Sequence, residues 1–157
     1  MKYFKFGFLI VFFFSCKQEN GQVSKDKKDS VQAHSAYSPG LGEFMLGVQT
    51  HHIKIWFAGI NQNWELAKFE MDEMHEVLDN IKKNCADRNE LKYLPMILPA
   101  LDSLDHAIEA KNLSSFKGAY ILTTNQCNNC HRASNHSFNV ITIPEQSSFP
   151  DQDFKKH

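Results

Sequence analysis

The 157-residue sequence has no surplus of either charge: 17 lysines and arginines stand against 18 aspartates and glutamates, a formal net charge of -1. That balance excludes a nucleic-acid surface, which needs a concentrated basic patch. Cysteine is scarce, with 4 in the chain, and only Cys127 and Cys130 are closely spaced. There is no second C-x-x-C and no H-x-x-H, so the two-knuckle ligand set of a zinc site is missing. Strand alternation and internal repeats are also absent. The one long apolar run, Phe6 to Phe14, is too short for a membrane-spanning helix. What remains is one domain with short appendages.

The apolar run follows lysines at 2 and 5 and precedes Ser15 and Cys16. A basic start and a short apolar run read as a secretory signal. A small residue followed by cysteine resembles a bacterial lipoprotein signal, which implies removal of residues 1–15 and lipidation of Cys16. Residues 16–38 are polar and aperiodic, a tether with a root-mean-square reach of roughly 25 Å. The expected location is the cell envelope, facing the periplasm or carried on the outer membrane, with the lipid as the membrane contact.

Helical periodicity begins after Ser38 and Pro39, a cap residue followed by proline. Leu41, Met45, Val48, His52 and Ile55 share one face. Gly59 to Gln62 breaks the pattern, and Asn63 caps a second helix with the stripe Ala67, Met71, Met74, Leu78 and Ile81. A third stripe runs from Leu94 to Ile108, with Pro95 and Pro99 bending its start. Asn112 caps a fourth segment carrying Leu113, Phe116, Tyr120 and Cys127 on one side. The expected fold is all-α: an up-down-up-down four-helix bundle over 39–136, with 137–157 as an extended tail packed on it.

The chemistry lies in Thr123 to Ser134, "TTNQCNNCHRAS", where Cys127, Cys130 and His131 form C-x-x-C-H. A disulfide within one helix would close a tiny loop and add little rigidity. A thioredoxin-like site would need a preceding strand. Covalent haem attachment remains: on a helix the three residues share a face, so two thiols can bond the vinyl groups while His131 reaches the iron. Export agrees, because c-type haem is attached outside the cytoplasm. Cys85 is left over, as a small end-of-helix residue.

A C-x-x-C-H near the end of the last helix of a bundle resembles the class II c-type cytochromes, the cytochrome c′ type, over residues 41–134. The segments "HHIKIWFAGINQNWELA", "CNNCH" and "FNVITIP" with "DQDF" are similar to a group of poorly characterised bacterial envelope haem proteins. That second resemblance implies haem binding and no established activity. "HRASN" departs from the aromatic-basic ending of the class II pattern. The class also carries homodimerisation as an option.

In an up-down bundle the start of the first helix lies beside the end of the fourth. Met45 and His131 are each about one turn from those ends, so Met45 is the preferred sixth ligand. His52 lies roughly 10 Å further along the axis and stands second, with an open iron third. Methionine-ligated class II members likewise draw this ligand from the first helix. His51 and His75 fall off the apolar stripes and read as surface residues, and His136 is placed over the haem edge. Trp56, Phe57 and Trp64 read as the end of the core away from the haem.

The expected protein carries single electrons between redox proteins that dock transiently, with one covalent haem c. The alternative is a five-coordinate haem module that binds or senses nitric oxide or carbon monoxide. Peroxide reduction would need an acid-base group near an open iron, and His52 is the one candidate.

Overall fold

The computed structural model describes residues 37–157, and all that follows concerns these. The expected signal peptide, Cys16 with its expected lipid and the expected tether before Tyr37 lie outside the described residues. The described chain is all-helical, with no strand. Its α-helices are α1 (Leu41–Ile60), α2 (Trp64–Asn84), α3 (Leu98–Glu109) and α4 (Leu113–Ala133), with a 3₁₀ segment, Asn89–Met96, between α2 and α3. Helix α1 packs on α2 and α4, and α3 packs on α2 and α4.

Burial follows the apolar stripes. All five stripe residues of α2 are buried, as are Val48, His52 and Ile55 of α1 and Phe116 and Tyr120 of α4. The third helix differs from expectation. Pro95 lies inside the 3₁₀ segment and Pro99 in the first turn of α3, so α3 is 12 residues long where α1, α2 and α4 have 20 or 21. Proline lacks the N–H that an α-helix interior requires but fits a first turn. Helix α1 also starts later than Ser38 and Pro39 suggest. Gly40 occupies the cap position with an extended backbone, and its carbonyl accepts from the N–H of Glu43 at 3.0 Å.

Three helices close in the same way. Gln62, Lys111 and Asn135 adopt left-handed backbone, with φ of 56°, 52° and 64°. The next residue in each case, Asn63, Asn112 or His136, donates its N–H back to Ala58, Ala107 or His131. This is the Schellman closure, built here without glycine. Asn63 and Asn112 then turn their side chains forward, accepting from Leu66 N at 3.3 Å and Ser115 N at 2.9 Å. One asparagine thus ends one helix and caps the next.

The segment after α4 is tied to the α1–α2 turn. Phe154 is buried against Phe57, with ring centroids 5.6 Å apart, and Asn63 Nδ2 donates to Lys155 O at 3.0 Å. Lys54 lies over the Phe149 ring.

His51 and His75 are not free surface residues. His51 Nδ1 lies 2.7 Å from the Glu70 carboxylate, and His75 Nε2 lies 3.1 Å from Asp105. Each is off its own stripe but faces an acid on the neighbouring helix. Glu70 is fully buried and also meets Lys54 at 3.3 Å. Burial pushes its carboxyl up, but His51 and Lys54 reverse this and leave it below the ordinary value of 4.5. A depressed carboxylate stabilises the fold above its unfolded pKa and loses that contribution as pH falls through the folded one. Glu70→Gln is expected to cost about 2 kcal/mol at neutral pH, leaving Lys54 without its counter-charge and His51 without its carboxylate partner. Urea unfolding below and above pH about 4.5 should show this cost shrinking in acid.

Candidate functional site

Helices α1, α2 and α4, the 3₁₀ segment and the segment after α4 line a partly open cavity of about 440 Å³. Met45, His52, Cys127, Cys130 and His131 all line it. The rest of its wall is largely apolar, from residues such as Val48, Leu78, Leu94 and Ile97. A second cavity of about 280 Å³ shares Met45, Cys130, His131 and Asn139 with the first, and adds Arg88 and His136. Five residues chosen for their chemistry, from positions 45 to 131, therefore meet at one apolar hollow. His136 borders the adjoining one.

Cys127, Cys130 and Cys85 are free thiols. Burial, and then the nearby Cys130, pushes the Cys127 thiol up to about 12, and burial also raises Cys130. A disulfide oxidoreductase activates its cysteine by lowering the pKa. These two are held as neutral thiols instead.

His131 has a defined tautomer. Its Nδ1 lies 2.6 Å from the backbone carbonyl of Asn139. A carbonyl can only accept, so Nδ1 carries a proton, and in the neutral ring Nε2 keeps its lone pair. Sequence reasoning singled out His131 and missed Asn139, because no local pattern shows which carbonyl will reach an imidazole eight residues back.

His52 is tied on both sides. Its Nε2–H donates to Thr124 Oγ1 at 2.9 Å, and the Thr124 hydroxyl donates to Tyr120 O at 3.0 Å. The Tyr120 hydroxyl lies 2.8 Å from the His52 carbonyl and 3.0 Å from its Nδ1, donating between these two acceptors. Tyr120 also stacks on the imidazole at 4.6 Å. Burial lowers the His52 pKa to about 4, so the ring is neutral. Both of its nitrogens are occupied by the protein.

The aromatic residues join the cavity to the α1–α2 turn. Trp56 packs on Tyr120 at 4.7 Å and on Phe116 at 6.2 Å, and Trp64 meets Phe116 edge-on at 5.8 Å. Phe57 and Trp64 lie at the turn, whereas Trp56 is connected to the cavity wall through Tyr120.

These residues fit a covalently held haem. Two neutral thiols and one imidazole come from the same helix end, a thioether comes from α1, and the wall between them is apolar. Among the described residues no three His, Cys, Asp or Glu side chains form a cluster able to hold a bare metal ion. Compared with protein-family models, with curated proteins and with solved structures, the chain matches none.

Proposed function

We propose that this protein is a lipid-anchored, single-haem c-type cytochrome that carries electrons in the cell envelope. In this reading the four helices form an up-down-up-down bundle, and residues 137–157 lie over it as an extended tail. The observation that carries it is the meeting of Cys127, Cys130, His131 and Met45 at one apolar cavity, with His131 presented as the Nδ1–H tautomer.

Each residue has a part. The thiols of Cys127 and Cys130 would anchor the macrocycle as thioethers. His131 would ligate the iron through Nε2, its basicity raised by the bond to Asn139. Met45 would be preferred to His52 as the second iron ligand, because His52 would have to surrender Tyr120 or Thr124 to bind a metal. The bound haem supplies a one-electron couple, and thioether ligation raises its potential. Redox proteins docking through small, transient interfaces would be the partners.

The test is the absorption spectrum of the protein matured with haem, oxidised and reduced, with and without carbon monoxide. The expected result is a covalent, low-spin haem that ignores the gas and shows the weak long-wavelength band of sulfur–iron ligation in the oxidised form. Met45→Ala should abolish that band and open the iron to carbon monoxide. A wild-type protein that is high-spin and binds the gas would overturn Met45 and favour the gas-binding module. A chain that takes up no covalent haem would overturn both readings.

A further inference from the structure

The two residues between Cys127 and Cys130 are both asparagine, and one of them has a task the motif does not demand. Asn128 Nδ2 donates to the carbonyl of Ile141 at 2.8 Å, and Ile141 N donates back to Asn128 Oδ1 at 2.8 Å. The side-chain amide thus pairs with one backbone unit as a neighbouring strand would, 13 positions along the chain. Two bonds fix both the distance and the orientation of that backbone.

Two residues before Ile141 is Asn139, whose carbonyl receives the Nδ1–H of His131. Asn139 N also donates to His136 O at 2.9 Å, and His136 N to His131 O at 2.7 Å. The segment from His136 to Ile141 is therefore pinned at both ends, by the closure of α4 at one and by Asn128 at the other. Asn128 and His131 are three apart on the helix, so they face the same way.

We propose that Asn128 is a positioning residue: through Ile141 it holds the Asn139 carbonyl against Nδ1 of His131, and so sets the tautomer and orientation of that imidazole. The role follows from amide chemistry. Aspartate could accept from Ile141 N but could not donate to Ile141 O, alanine could do neither, and glutamine would displace the pairing by one methylene. The consequence for electron transfer rests on the reading of His131 as an axial ligand, but the tautomer itself does not.

The experiment is nitrogen-15 NMR of the His131 ring in the haem-free chain, at a pH where the imidazole is neutral. It is run beside amide hydrogen exchange at Ile141, for wild type, Asn128→Ala and Asn128→Asp. Wild type is expected to hold mainly the Nδ1–H form. In Asn128→Ala the Ile141 N–H should exchange faster and the ring should revert towards Nε2–H, the form that a free histidine side chain favours in water. Asn128→Asp keeps one of the two bonds and should fall between, which preserves the test if the alanine variant folds poorly. Faster exchange at Ile141 with the ring still Nδ1–H would overturn the proposal, as would variants indistinguishable from wild type. In haem-loaded protein the weaker imidazole donor should raise the midpoint potential of Asn128→Ala, and an unchanged potential would count against the role. Covalent haem content, read by mass, decides the cytochrome reading separately.

Discussion

Gly59→Ala is expected to destabilise this protein more than the same change at any other glycine among the described residues. A Cβ at position 59 would lie 2.0–2.5 Å from three ring atoms of Phe116. The ring has no room to withdraw, because Phe116 is fully buried between Trp56 and Trp64. Either the ring leaves its rotamer or α1 and α4 separate. Overpacking of this kind costs about 3 kcal/mol, at the upper end of its usual range. For a domain of this size the melting temperature should fall by about 15 °C. Gly47→Ala is the control, since a Cβ there meets only Val77 at 3.4 Å and should change little. Equal melting temperatures for the two variants would mean that the Phe116 ring is looser than its packing implies.

The second large effect is acid sensitivity centred on His52. The ring titrates at 6.5 when unfolded and at about 4 when folded, because burial disfavours its charged form. Between those values the unfolded chain binds a proton that the folded chain does not. Stability must therefore fall as pH drops from 6.5 towards 4, then stop changing on this account once both forms are protonated. The full loss amounts to about 3 kcal/mol. His52→Gln carries no such proton, so its stability should stay nearly flat over the same window, apart from groups common to both proteins. Denaturant titrations at several pH values would show the curves converging in acid. Parallel curves would mean that the charged ring is tolerated inside the network with Tyr120 and Thr124. Glu70 acts in a lower window, below 4.5, so the two contributions can be separated.

Much of the helical layout could be read from periodicity. The stripes on α1, α2 and α4 fall where apolar spacing puts them, because burial on one face is what generates a period of 3.6. Asn63 and Asn112 were legible as caps, since the rule for a cap is local. Helix ends were less so: the residues that turn the chain left-handed are Gln62, Lys111 and Asn135, and none is the glycine such a turn invites. Gly59 reads as a break in the sequence, yet it lies within α1, where its missing side chain admits Phe116. The gathering of Cys127, Cys130, His131 and Met45 was legible because a motif and the expected pairing of the first helix with the fourth were enough to infer it. The hydrogen bonds that hold His131 and His52 were not, because each joins positions whose proximity only the folded chain creates. The carboxylate contacts of His51 and His75 were hidden for the same reason.

The double use of Asn63 and Asn112 has a consequence for how such a chain can change length over generations. With one residue serving both neighbouring helices, neither turn has slack. A single insertion there would advance the next helix by about 100° and rotate its stripe out of the core. The stretch between α2 and α3 has no such shared residue, and it holds Arg88 and the 3₁₀ segment beside the cavities. Gains and losses of sequence would be tolerated there first, next to the site, so descendants of this fold would come to differ at the cavity wall while their helices stayed in phase.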